Sequence, residues 1–141
     1  MLFRSTAKEI CSKVDLSPQP TFGYEAYKNG FGGIRKSAKD GFTVVEKAKN
    51  LIKHNNLLEV LTKIVGFIDD SVLFKRAKTI ENYNLYKNLI SAVDCNNLEQ
   101  VQKINALCKQ QNISIGGSAD VLISAILMKK IAENFYFWEK K

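Results

Sequence analysis

Cysteine, proline and histidine are scarce in this chain of 141 residues, and the shortages exclude several classes of protein. The three cysteines are an odd number without C-x-x-C spacing, which argues against a disulfide framework and against a zinc site. We expect free thiols, with Cys11 and Cys108 on apolar helix faces. Because His54 is the single histidine, a histidine metal cage and a pair of histidines for acid–base chemistry are both excluded.

Long apolar runs are also missing, although a membrane-crossing helix needs about 20 apolar residues. The longest candidate, residues 121–128, contains Ser124 and therefore predicts a buried helix. The first five residues show no basic stretch followed by an apolar run, so no secretory signal is visible. We expect a cytoplasmic protein that does not bind a membrane.

Basic residues outnumber acidic residues by 21 to 14, which gives a formal net charge of +7. Such a charge makes a polyanionic partner plausible, whether nucleic acid, a phosphorylated metabolite or an acidic protein. No recognisable nucleic-acid-reading motif accompanies the charge. We therefore do not expect nucleic acid to be the partner, although a basic helical module that binds nucleic acid stays an alternative.

Apolar residues recur at helical spacing along most of the chain, and no segment has the alternation of a strand. The predicted helical segments are 3–14, 22–29, 44–52, 57–68, 79–93, 98–108 and a last one that begins at Ser118. Residues 32–41 predict an exposed basic turn. The last helix is apolar nearly all round and should be enclosed by others. The sequence therefore predicts a single all-α domain over residues 1–141, a bundle of about six or seven helices.

Several helix starts carry capping residues. Asn56 followed by Glu59 is a capping-box pattern, and Thr79 opens the helix that follows. Either Asn96 or Asn97 should cap the next helix. These polar side chains can satisfy backbone amides that the first turn of a helix leaves without partners.

Two glycines run into the last predicted helix at Gly116 and Gly117, with Ser118 at its cap and Asp120 in its first turn. Bare amides and the helix dipole at such a start favour a phosphate. Asp120 would either complement the dipole or help hold a magnesium ion. The same pattern also occurs as an ordinary helix start, and it is not a P-loop because Gly-Lys-Ser/Thr is absent.

Asp69 and Asp70 stand together at the end of an apolar helix, where adjacent carboxylates oppose the helix dipole. Residues whose position opposes a local structural preference, as these carboxylates oppose the helix dipole, are typical of functional sites. A pair of magnesium ligands is therefore one hypothesis. The alternative is a pair of loop carboxylates neutralised by Lys75 and Arg76. No serine or cysteine has a nucleophile motif, so any reaction would depend on charge and the positioning of phosphates and metal.

Three segments, in this order, form a family pattern. They are Thr21-Phe22-Gly23 with Gly33-Ile34-Arg35 and Gly41-Phe42, then Phe67-Ile68-Asp69-Asp70-Ser71 with Arg76, and finally Ser114-Ile115-Gly116-Gly117-Ser118-Ala119-Asp120. The pattern resembles the triphosphoribosyl-dephospho-CoA synthase family, which makes the prosthetic-group precursor of citrate lyase and malonate decarboxylase. The resemblance covers about residues 21–131 and corresponds to the C-terminal half of such proteins.

The resemblance implies an all-α fold and a transfer reaction. In that reaction the ribose hydroxyl of 3′-dephospho-CoA attacks the anomeric carbon of the ATP ribose, adenine leaves, and magnesium accompanies the triphosphate. The implied site residues are Asp69, Asp70 and Asp120 for magnesium or catalysis, Gly116, Gly117 and Ser118 for phosphate contacts, and Arg35 and Arg76 as phosphate clamps.

The chain also departs from the family pattern. Motifs of the family's first half are absent. Phe67 stands where the family has a histidine, and Ser37 stands where it has a glutamate. We therefore expect either a transferase completed by a separate N-terminal-half polypeptide or a homodimer, or a divergent domain that binds nucleotide without turnover. The aromatic run 135–138 fits a partner surface, or else packs on the chain's own first helix.

Overall fold

The fold is seen in a computed structural model that describes residues 9–10, 26 and 28–138, without the side chains of residues 34–35 and 135–138. Over residues 28–138 the chain forms seven α-helices and no strand, which confirms the all-α prediction. The helices are α1 (Gly33–Lys39), α2 (Thr43–Leu51), α3 (Leu57–Phe67), α4 (Ser71–Ala77), α5 (Ile80–Ser91), α6 (Leu98–Gln110) and α7 (Gly116–Trp138). Residues 9–10 of the predicted helix 3–14 are helical, and the rest of that helix, Cys11 and most of segment 22–29 lie outside the described residues.

Side chains begin three of the helices as predicted. The side-chain oxygens of Asn56, Thr79 and Asn97 each accept the backbone N–H of the third residue of the following helix, at 2.9, 3.2 and 3.1 Å. Asn97 rather than Asn96 is therefore the cap of α6. The Glu59 carboxylate forms an ion pair with the Lys63 ammonium at 2.7 Å instead of the reciprocal bond of a capping box.

One core cluster joins α7 to α2 and α3. Ala48 on α2, Val60 and Ile64 on α3, and Ala125 on α7 are fully buried. The alanines on α2 and α7 let the helix backbones approach closely, because they add little side-chain bulk between them. This packing brings the start of α7 next to the end of α3.

A second cluster lies where α4 and α5 pack against each other. The ring of Phe31 stacks on Phe74 at 4.4 Å between centroids, and Tyr83 meets Phe31 edge to face at 4.8 Å. Leu73 and Ala77 of α4 are buried in the same cluster. The two clusters flank the short turn between α3 and α4, which is thereby held in place.

Two segments differ from the predicted elements. The expected basic turn at 32–41 contains helix α1, because the glycines on either side of it bound a helix instead of interrupting one. Helix α4 was not predicted. Asp70 accepts the backbone N–H groups of Val72 and Leu73, so Asp70 complements the dipole at the start of α4. The expected conflict between Asp70 and a helix end is therefore wrong.

The last helix also begins earlier and is less enclosed than predicted. It starts at Gly116, so Asp120 lies beyond its first turn and Ser118 within it. Ile123, Leu127 and Ile131 are 64%, 58% and 44% exposed, which shows that one face of α7 is not covered by the described part of the chain. No helix among the described residues is long and apolar enough to cross a membrane.

Candidate functional site

A cleft of about 530 Å³ lies where α1, α2, the α3–α4 turn and the first turns of α7 meet. Its volume is in the usual range for small-molecule sites. Its polar lining residues are Lys36, Ser37, Asp40, Thr43, Asp69, Ser71, Asp120 and Ser124. Apolar residues that line it include Phe42, Val44, Phe67, Val72 and Val121. The packing of α7 against α2 and α3 therefore brings residues from all three family-like segments to one cleft.

Asp70 lies beneath this cleft as a buried carboxylate, only 2% exposed. Its Oδ1 accepts the backbone N–H groups of Val72 and Leu73, both at 3.0 Å, and that of Gly117 at 3.3 Å. Its Oδ2 accepts the backbone N–H of Ser118 at 2.7 Å and the Ser118 hydroxyl at 2.8 Å. One carboxylate thus links the N-termini of α4 and α7.

These hydrogen bonds use the backbone N–H groups of the Gly-Gly-Ser segment that were expected to bind phosphate. The backbone N–H groups of Gly117 and Ser118, which were predicted to contact phosphate, donate hydrogen bonds to Asp70. A carboxylate offers about four lone-pair positions, and five donors already share those of Asp70. The geometry therefore favours a positioning role for Asp70, while its predicted magnesium or acid–base role stays a prediction.

The second glycine of the segment is required by this carboxylate. A Cβ at position 117 would lie 2.8 Å from Oδ1 of Asp70, closer than a Cβ atom comes to a non-bonded oxygen. A Cβ on Gly116 would lie 3.3 Å from Val72, so the first glycine is tight but less constrained. Glycine at 117 thus lets the backbone of α7 reach Asp70.

Asp69 and Asp120, by contrast, are exposed carboxylates that line the cleft. Helix α5 holds the turn that carries Asp69. The Lys87 ammonium donates to the Ile68 carbonyl oxygen at 2.8 Å and lies 3.9 Å from Oδ1 of Asp69. The Tyr83 hydroxyl also donates to the Ile68 carbonyl, at 3.5 Å. Burial raises the pKa of Tyr83 to about 12, and the negative charge of Asp69 adds to the rise.

Lys36 is a basic residue of the cleft that the sequence analysis did not single out. A Cβ on Gly32 would overlap with the aliphatic stem of Lys36, so the absence of a side chain at Gly32 leaves room for this lysine. Of the two predicted phosphate clamps, Arg76 is exposed and does not line the cleft, and the Arg35 side chain lies outside the described part of the structure. The signal that could have found Lys36 is its place next to Arg35 in the same basic segment.

The carboxylates of the cleft differ in how well they suit a magnesium ion. In the described part of the chain, no three His, Cys, Asp or Glu side chains converge closely enough to hold a metal by themselves. Magnesium usually binds one or two carboxylates together with substrate phosphates and water. Asp69 and Asp120 fit that mode because both line the cleft. Asp70 fits it less well, since hydrogen-bond donors already contact both of its oxygens.

The fold and site together define an all-α protein with a mixed acidic and basic cleft of small-molecule size. Residues 9–138 match the family described as CitG, ATP:dephospho-CoA triphosphoribosyl transferase, and the chain belongs to this family. This confirms the resemblance drawn from the sequence.

A curated relative, Protein CitXG of Leuconostoc mesenteroides subsp. cremoris, is 29% identical, and the alignment covers 70% of this chain. The same alignment covers 24% of the relative, so the chain spans about a quarter of that protein's length. No solved structure gives a significant match.

Proposed function

We propose that this protein transfers the triphosphoribosyl group of ATP to 3′-dephospho-CoA and releases adenine. The chain's membership of a family whose description names ATP and dephospho-CoA supports the proposal. The observation that carries it is the meeting of Lys36, Asp69 and Asp120 in one cleft, although they come from three separate segments. A cationic group for phosphates and carboxylates for proton transfer are the groups that this reaction needs.

Asp69 or Asp120 would accept the proton of the attacking ribose hydroxyl. The hydroxyl oxygen forms a bond to the anomeric carbon of the ATP ribose while the bond from that carbon to adenine breaks. The electron pair of the broken bond leaves with adenine, and the proton taken from the hydroxyl ends on the released base. Positioned proton transfer of this kind contributes about a hundred-fold or more to a rate. A nearby carboxylate also stabilises positive charge on the sugar ring.

The triphosphate would bind at the polar part of the cleft. Lys36 supplies a positive charge there, on a stem that lies against Gly32. One of Asp69 and Asp120 would hold magnesium, which offsets the negative charge of the phosphates when it is bound, and the other would accept the proton. Asp70 takes no direct part in the proposed reaction. Its bonds to Gly117 and Ser118 fix the start of α7, and therefore the direction in which Asp120 is presented.

The first test is calorimetric titration of the purified 141-residue chain with ATP, with and without magnesium, followed by chromatographic detection of adenine after 3′-dephospho-CoA is added. Lys36→Met is compared with Lys39→Met, which removes the same charge from the same helix but does not line the cleft. Asp69→Asn and Asp120→Asn are compared with Glu99→Gln on α6. We expect only the three cleft variants to weaken ATP binding or adenine release.

The outcomes separate the functions left open by the sequence. Magnesium-dependent ATP binding with adenine release supports the transferase, and binding without release supports a nucleotide-binding domain without turnover. Release that appears only with a second polypeptide, or only in a dimer, would support the predicted partner. If millimolar ATP does not bind, the proposal fails, and strongly salt-dependent RNA or DNA binding would then favour the nucleic-acid alternative. Substrates that are phosphorylated metabolites also support a cytoplasmic location.

A further inference from the structure

The cleft contains an aromatic part that the proposed roles of Lys36, Asp69 and Asp120 leave unused. Phe42 and Phe67 both line it: Phe42 is the residue that precedes α2, and Phe67 is the last residue of α3. Both rings are half-buried, so part of each stays accessible. A ligand in the cleft would therefore meet flat apolar surface as well as charged groups.

The Phe67 ring is held at a defined place. Phe67 is the last residue of α3, and the Lys47 ammonium lies 4.1 Å from the centroid of its ring. A cation over an aromatic face is attracted by the ring quadrupole, which restrains both groups. The ring contributes to the cleft from a helix end whose neighbours Ile64 and Ile68 are buried in the core.

The backbone at Phe42 gives a second, independent observation. Its φ and ψ are 55° and 38°, a left-handed conformation that is unusual for a bulky residue. Backbone bonds hold it there: the Phe42 N–H donates to the Ser37 carbonyl, and the Phe42 carbonyl accepts from Val45 at 3.0 Å. Residues kept in sparsely populated backbone conformations cluster at binding and catalytic sites. The Phe42 side chain lines the same cleft as Phe67.

The aromatic and acidic groups of the cleft lie next to each other at the end of α3. Asp69 follows Phe67 after a single residue, so the aromatic and acidic parts of the cleft adjoin each other at the end of α3. ATP has a flat purine at one end and a charged triphosphate at the other, with the ribose between them. The bond that the proposed reaction breaks joins the purine to the ribose. A purine on the aromatic part would place that bond beside the carboxylates.

We propose that Phe67, through the ring face that Lys47 does not cover, is the stacking platform for the purine base of the nucleotide, with Phe42 as a second apolar wall of the same subsite. The inference rests on the proposed function, since it assigns the base end of the nucleotide that the cleft would bind. Stacking is tolerant of which purine is present, because every purine has a π-face. Stacking on Phe67 would bind the leaving base through a contact that does not depend on phosphate charge.

The test uses two probes on the full chain in the presence of magnesium. One is 2-aminopurine riboside triphosphate, a fluorescent ATP analogue whose emission is quenched when its base stacks on an aromatic ring. The other is tripolyphosphate, which has no base. Phe67→Leu removes the π-face and keeps an apolar side chain, and Phe67→Tyr keeps the ring. Far-ultraviolet circular dichroism verifies that each variant retains its helices.

We expect Phe67→Leu to weaken binding of the fluorescent nucleotide about ten-fold and to lose its quenching, while tripolyphosphate binds as it does to the parent chain. Phe67→Tyr should keep both affinity and quenching. The platform is refuted if Phe67→Leu binds and quenches the nucleotide as the parent chain does, or if it loses affinity for both probes equally. If the parent chain binds neither ATP nor either probe, the proposed function itself has failed, and the platform with it.

Discussion

Asp70 and Ser118 are joined by two hydrogen bonds at 2.7 and 2.8 Å, although 48 positions separate them in the sequence. Oδ2 of the carboxylate accepts both the backbone N–H and the hydroxyl of the serine, and both residues are almost fully buried. Hydrogen bonds to a buried charge are stronger than those between neutral groups. This pair therefore fixes the start of α7 against the start of α4, and with it the floor of the cleft.

Removing the Ser118 hydroxyl should lower the stability of the fold. Ser118→Ala deletes one bond to a buried carboxylate and leaves the backbone bond in place, so we expect the free energy of unfolding to fall by about 1.5–3 kcal/mol. Urea denaturation followed by circular dichroism measures the change. Asn97→Ala is the control, because it removes an exposed cap of α6 at a cost of about 1 kcal/mol. Equal losses in the two variants would contradict the importance assigned to the buried pair.

A methyl group at position 117 should be harmful although the residue is in a helix. The Cβ of Gly117→Ala would lie 2.8 Å from Oδ1 of Asp70, so carboxylate and helix must move apart, at a cost of about 1–3 kcal/mol. Gly66→Ala is the matched control. Its Cβ would meet Ser91 at 3.4 Å, an ordinary contact, and alanine favours a helix over glycine by up to about 1 kcal/mol. Thermal or urea unfolding should show that Gly117→Ala lowers the free energy of unfolding and that Gly66→Ala raises it. A stabilising Gly117→Ala would show that the close approach to Asp70 is not needed.

Lys87 should matter for turnover because it holds the turn that carries Asp69. Lys87→Met keeps most of the stem but removes the donor to the Ile68 carbonyl and the positive charge 3.9 Å from Asp69. We expect kcat for adenine release to fall about ten-fold or more, since small errors in the position of a catalytic group are costly, while KM for ATP changes little. Lys103→Met, which breaks an exposed ion pair with Glu99 on α6, is the control. An unchanged kcat in Lys87→Met would show that Lys87 is not needed to position Asp69.

The raised pKa of Tyr83 predicts a loss of stability in alkaline solution. Its pKa is about 12 in the folded chain against 10.0 for the free side chain, so the unfolded chain loses this proton first. The stabilising contribution is complete below pH 10 and disappears between pH 10 and about 12, at up to about 1.4 kcal/mol per pH unit. Unfolding of the parent chain and of Tyr83→Phe in urea at pH 8, 10 and 11 measures it. The stability advantage of the parent chain over the variant should shrink above pH 10. A difference that stays constant from pH 8 to pH 11 would contradict the raised pKa.

The sequence by itself determined the local features of this protein. Helices α2, α3, α5 and α6 follow from apolar periodicity, and the caps Asn56, Thr79 and Asn97 follow from side chains that bond within three positions of themselves. The family was also visible, because its pattern consists of short runs such as Gly116-Gly117-Ser118. All of these depend on neighbours in the sequence, where spacing alone fixes which groups can meet.

The tertiary structure decided which of the three aspartates is buried and which two line the cleft. From the sequence, Asp69 and Asp70 are equivalent neighbours, but only Asp70 reaches the amides of Gly117 and Ser118. The family resemblance had grouped Asp69 with Asp120, but only the packing shows that both line one cleft. The place of Lys36 in that cleft and the exposed side of α7 were not predicted. Periodicity shows that a helix has an apolar face, but not which helix covers that face. Contacts between distant segments are set by how the helices pack, and in this chain that packing brings residues of separate motifs to a single cleft.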